Sequence, residues 1–134
     1  MEVGLTSDPT VLELLVEPIR AEGKLVRASG EIDRANAQAF TVAVLGLLEP
    51  CCKLVLDLLC VDFMDLGAMR ALQAIRRASE DLRAPFTVVL RPRHRQLVEI
   101  ADLAAGLEFA VSCDAALAGA GGGDERGTPA ARSR

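Results

Sequence analysis

Three aspartates stand where a carboxylate could do more than stay solvated. Asp33 and Asp65 each precede a helical pattern, and Asp57 interrupts an apolar run. A carboxylate just ahead of a helix accepts a bond from an otherwise unpaired backbone N–H, so Asp33 and Asp65 read first as caps. Asp57 reads as a strand residue that reaches the exposed end of its strand or meets a donor. If all three converged at one end of a sheet, they would form a cation site.

The remaining reactive types are sparse. Arg91, Arg93, His94 and Arg95 form a basic cluster at a helix start, which reads as a solvated surface before an anion site. His94 is the single histidine and has no Ser, Cys or carboxylate at catalytic spacing. Cys51, Cys52, Cys60 and Cys113 include no C-x-x-C pair, so zinc is not expected. Reduced thiols in a cytoplasmic protein are the expectation. Cys60 and Cys113, both at predicted strand ends, leave a regulatory disulfide open. The tail GAGGGDERGTPAARSR lacks the Lys-Ser/Thr ending of a phosphate loop. No catalytic residue, metal or cofactor is expected, and the chain is not read as an enzyme.

Composition narrows the class. A chain of 134 residues, 51% hydrophobic and 25% charged, fits one globular domain. No apolar run reaches the roughly 18 residues of a membrane helix, and no secretory signal opens the chain. A net charge of −4 argues against nucleic acid as a partner, and Trp and Tyr are absent for stacking on bases.

These residues need elements to position them. Residues 1–9 read as a flexible lead. Val11–Glu17 and Lys24–Ile32 read as an antiparallel pair of strands. A helix is expected over Arg34–Leu48, with Phe40, Val44, Leu47 and Leu48 inward. Lys53–Cys60 is apolar on both faces and reads as a central parallel strand. The loop Asp62–Gly67 leads into a helix over Leu66–Leu82, with Met69, Leu72 and Ile75 on its inner stripe. Phe86–Leu90 is the next strand. Pro92 opens a third helix with Leu97, Ile100 and Leu103 inward. Leu107–Val111 reads as a last strand, Asp114–Ala118 as a brief helix, and 119–134 as a disordered Gly-rich tail. Strands alternating with helices after a hairpin predict an α/β fold, a mixed sheet of four to five strands flanked by helices. The helix starts after Asp33 and Asp65 then share one end of the sheet, where α/β proteins place their sites.

Three segments resemble the STAS domain, the fold of bacterial anti-sigma factor antagonists and of sulphate-transporter tails. Ser29-Gly30-Glu31-Ile32-Asp33 resembles the "G-E-hydrophobic-D" that opens the first helix of that family. Leu54-Val55-Leu56-Asp57-Leu58 followed by Phe63-Met64-Asp65 resembles its central strand and loop. Val98-Glu99-Ile100-Ala101-Asp102-Leu103 is similar to its "L-E-L-T-G-L" stretch, with Asp102 where Gly is usual. The resemblance covers roughly residues 10–118. It implies a STAS fold and a function exerted by binding a partner.

One departure from the family bears on regulation. Members controlled by phosphorylation read "F-M-D-S-S-G-L", whereas Phe63-Met64-Asp65-Leu66-Gly67-Ala68-Met69 carries no hydroxyl. Leu66 stands at the phosphoacceptor position. By this resemblance the partner is an anti-sigma factor, a serine-kinase-like protein. It contacts Asp33, Asp62, Asp65, Leu66, Gly67 and Met69, and the protein stays in the binding-competent state. A second reading is an accessory STAS subunit of an ABC-transporter ATPase or a scaffold in a signalling assembly. An enzyme or small-ligand binder is a third, with no assembled nucleophile and base behind it. The sequence fits a monomer or a dimer.

Overall fold

Hydrophobic alternation and turn chemistry build a sheet with all but one helix on a single face. A computed structural model describes residues 2–4, 12–19 and 23–120. Strand β1 (Glu2–Gly4) pairs antiparallel with β2 (Leu12–Ile19), which pairs antiparallel with β3 (Gly23–Ile32). Helix α1 (Ala37–Leu45) carries the chain to β4 (Lys53–Met64), parallel to β3. Helix α2 (Leu66–Asp81) leads to β5 (Phe86–Val89), and α3 (Pro92–Ile100) to β6 (Glu108–Ala110), both joining in parallel. Helix α4 (Cys113–Ala120) closes the described chain. The strands lie in sequence order across the sheet.

Sequential order with parallel crossovers places the crossover helices on one face. Phe40 and Val44 of α1, Leu72 and Ile75 of α2, and Val98 of α3 share one core with Leu54, Leu56 and Leu58 of β4. Among the described residues helix α4 alone covers the other face, where Ala116 packs on Leu25, Val55 and Val89. This second layer explains why Lys53–Cys60 is apolar on both sides. Among the described residues β1 pairs with Glu13, Leu14 and Leu15 and stops short of Pro18, which suits a residue that has no N–H to donate.

The mixed sheet flanked by helices is as expected, and Glu2–Gly4 adds a strand to the five read from sequence. That strand falls within the lead expected to be flexible. The rest of the lead and the tail beyond residue 120 lie outside the described residues. Strand β4 runs four residues beyond Cys60, so much of the anticipated loop is paired strand. The extra length comes from two register shifts against β3, between Arg27 and Ser29 and between Gly30 and Glu31. Gly30 takes φ 114° at the second, a conformation that favours glycine and accounts for it in the motif. Asp102 takes φ 60° just past α3, so it sits in the left-handed conformation that glycine adopts without strain.

The third helix is turned relative to expectation. Leu97 and Ile100 are exposed, Ile100 at 78%, while His94 and Val98 are buried. His94, Val98 and Ala101 form a stripe at i, i+4 and i+7, hidden from a purely apolar count by its histidine. His94 is 2% exposed and its Nδ1 has no hydrogen-bond partner. Burial, then Arg93 and Arg91, holds its pKa below the ordinary value of 6.5, opposed by Asp62. The neutral ring is therefore the form that fits the fold. Stability should be complete above the unfolded value of about 6.5, fall as pH drops through it, and level off beneath the depressed folded value. Urea midpoints at pH 7 and pH 5 should differ for the native protein and converge for His94→Leu. An equal acid loss in that variant would remove His94 as the cause.

Candidate functional site

Two helix starts meet at the end of the sheet where β3 and β4 finish, and two aspartates join them. Asp33 follows β3. Its Oδ1 accepts the Ala35 N–H at 2.9 Å and the Asn36 N–H at 3.3 Å. Asn36 answers through Oδ1, which accepts the Asp33 N–H at 2.9 Å, and its Nδ2 donates to the Glu31 carbonyl. This reciprocal arrangement is a capping box, with Asn in the place usually taken by Glu or Gln. It forms a separate turn ahead of α1, so the regular helix begins at Ala37 rather than Arg34. Asn36 is buried and is not among the residues singled out from sequence; the D-x-x-N spacing of Asp33 and Asn36 is the available signal.

Asp65 follows β4 and caps α2. Its Oδ1 accepts the Ala68 N–H at 3.1 Å, and its Oδ2 accepts the Arg34 N–H at 2.9 Å. One carboxylate thus caps its own helix and fastens the turn that leads into the other. Between them lies an open groove of about 720 Å³, lined by Asp33, Arg34, Ala35, Asp65, Leu66, Gly67 and Arg70. Leu66, the first residue of α2, is 46% exposed within it. Arg70 lies one turn further along the same face, a position that i, i+4 spacing from Leu66 would have found.

The structure brings together Asp33, Asp65, Leu66 and Gly67, and separates the other expected contacts. Asp62 is exposed but turns toward α3, 3.3 Å from the Arg91 guanidinium. Arg91 also donates to the Leu59 carbonyl at 2.7 Å, and Arg93 to the Asp62 carbonyl at 3.4 Å. Arg91 and Arg93 therefore brace β4 at its two irregular positions, Leu59 and Asp62, rather than remaining simply solvated. Met69 is 5% exposed and packs in the main core, so it is not a surface contact. The same inner stripe that positions Leu72 and Ile75 carries it inward.

Asp57 lies on the opposite face and does not join Asp33 and Asp65. It is buried, accepts the Leu59 N–H at 2.9 Å, and lies 3.5 Å from the Arg27 guanidinium. The Cys113 thiol donates to its other oxygen at 2.9 Å. Burial, then the Asp57 hydrogen bond and charge, pushes that thiol up to about 11. Cys113 is thereby kept protonated at neutral pH, the unreactive form. All four cysteines are free thiols. Among the described residues no cluster of His, Cys, Asp or Glu could hold a metal ion. No helix among them is long and apolar enough to cross a membrane.

The STAS domain family matches residues 17–116. The chain belongs to the STAS domain family. An anti-sigma factor antagonist from Mycobacterium paratuberculosis is 30% identical, with a TM-score of 0.69 over 84% of this chain and 97% of that one. Two more distant structures share the STAS fold alone. The RsbS protein of Moorella thermoacetica is 18% identical at TM-score 0.63, covering 78% of this chain and 92% of its own. The anti-sigma factor antagonist SpoIIAA in its unphosphorylated form is 14% identical at TM-score 0.57, covering 75% and 90%. No curated protein matches this sequence.

Proposed function

We propose that this STAS protein is an anti-sigma factor antagonist. It binds a kinase-like anti-sigma factor through the groove at the start of α2 and so regulates sigma-factor-dependent transcription. Residues 10–118 form the binding unit, and the loop takes no phosphate. The observation that carries this reading is Leu66, a half-exposed leucine at a helix start inside a groove. An apolar side chain held there by two engaged caps is an anchor awaiting a surface. The 30% identity to an anti-sigma factor antagonist supports the choice of partner. An accessory subunit of a transporter ATPase would use the same groove, and the leucine in place of an acceptor serine favours weighing it.

The test is capture of the native partner from host lysate, followed by calorimetry of its affinity for this protein. Leu66→Asp should weaken the complex by about 2 kcal/mol, some thirtyfold, because it places a charge in the buried contact. The exposed site should leave the thermal midpoint nearly unchanged. A folded Leu66→Asp variant with native affinity would place the interface elsewhere. Recovery of an ATPase in place of a kinase-like protein would favour the transporter reading.

A further inference from the structure

The groove beside Leu66 is unevenly finished: its carboxylates are engaged and its cations are not. Both oxygens of Asp65 and one of Asp33 accept backbone N–H groups at the start of α2 and in the turn before α1, so these carboxylates are locally engaged. Arg34 and Arg70 are exposed, and among the described residues neither guanidinium has an ion pair or hydrogen bond. Arg27, Arg76, Arg91 and Arg95 are paired with carboxylates. The first N–H groups of α2, on Leu66 and Gly67, come before any acceptor within the helix. Two unpaired guanidiniums and the open N–H groups of a helix start therefore stand together at this end of a protein whose net charge is −4.

Apolar surface continues from the groove along α1. That helix, AQAFTVAVL, has no charged residue. Ala39 and Val42 of α1 are exposed and three apart, which puts them on one face, and Ala35 is exposed in the turn just ahead of that helix. Val42 is 61% exposed. Ala35 and Leu66 both line the groove, so the strip is continuous with it.

Resting on the reading of this groove as the partner site, we infer that it receives an amphipathic helical segment of the partner with an acidic polar face. Carboxylates of that segment meet Arg34 and Arg70, and its apolar side covers Leu66, Ala35, Ala39 and Val42. Guanidinium–carboxylate pairs suit this geometry because both groups are planar and can bond at two points. Such pairs at a rim select the partner and make binding salt-dependent more than they add affinity.

Two synthetic helical peptides with the same Leu/Ala face test this, one with a Glu polar face and one with Lys. Binding to the full chain is read by fluorescence anisotropy. The Glu peptide should bind about tenfold more tightly at about 20 mM salt, and most of that preference should vanish by about 300 mM. The double variant Arg34→Glu, Arg70→Glu should reverse the preference. Equal binding, a preference for Lys, absence of binding by either peptide, or a Glu preference that survives the double variant would overturn the inference. If Leu66→Asp weakens the native partner while the peptides bind alike, the groove stands and only its polarity is wrong. If Leu66→Asp alters neither, the reading of the groove itself falls.

Discussion

Met69→Asp should unfold the protein, with a loss of about 4 kcal/mol or more. Met69 is 5% exposed and lies among Leu72, Ile75 and the β4 leucines. Aspartate there forfeits about 2 kcal/mol of apolar burial. It also strands a carboxylate among apolar neighbours, which costs several kcal/mol or forces protonation. A domain of this size holds only about 5–15 kcal/mol in total. Met69→Leu, nearly equal in volume, should cost less than about 1.5 kcal/mol. Urea unfolding followed by circular dichroism reads both. The contrast with Leu66→Asp is the informative one: the two positions are three residues apart on one helix, yet Leu66 at its first position is 46% exposed and Met69 is buried. A Met69→Asp protein with a native midpoint would show that Met69 reaches solvent.

Met69 and Leu66 also show what the sequence could and could not disclose. Strand β4 was legible because a continuous Leu/Val run has few uses other than a sheet covered on both faces. The inner stripe of α2 was legible from its 3.6-residue period, and that stripe already contained Met69. Naming Met69 as a partner contact conflicts with its own helical phase, because proximity to the loop is not exposure. The phase of α3 failed for another reason. Its inward stripe is led by His94, a residue type that is seldom fully buried, and the apolar count moved to Leu97 and Ile100 instead. Asp57 could not be placed from sequence, because its partners Arg27 and Cys113 are distant along the chain and meet only across the sheet.

The two caps were legible in kind but not in connection. An Asp before a helical pattern predicts an N-cap; Asp65 caps α2, whereas Asp33 caps the turn that precedes α1. That Asp65 also accepts the Arg34 N–H depends on β3 and β4 being parallel neighbours that end together. This bond ties the start of α2 to the turn before α1.

That linkage frames the regulatory prediction, which rests on the proposed partner. Incubated with the cognate kinase-like anti-sigma factor, ATP and Mg²⁺, the native protein should yield no phosphopeptide spanning Asp65–Ala68. Leu66-Gly67-Ala68 offers no hydroxyl, so phosphoryl transfer has no oxygen to receive it. The complex should persist in ATP. Leu66→Ser should restore the acceptor by itself, because Leu66 is exposed at the first turn of α2 and a smaller side chain meets no obstacle. Gly67 is better left unchanged. A Cβ there would lie 3.2 Å from the Asp65 Oδ1 that caps the helix, and 3.6 Å from Arg34 Cα and Ala37 Cβ. Phosphate on the serine introduced by Leu66→Ser would add about −1.5 to −2 charges. The free N–H groups of the helix start would hold it in place. On a docking surface that charge should cost the complex about a hundredfold in affinity, comparable to truncating a central anchor. Mass spectrometry of the loop peptide and a binding titration with and without ATP read the two halves of the expectation. Loss of the native partner on ATP addition, with phosphate on Thr41, Ser79 or another hydroxyl, would show that control has moved elsewhere. That result would end the permanently competent reading and leave the partner class standing.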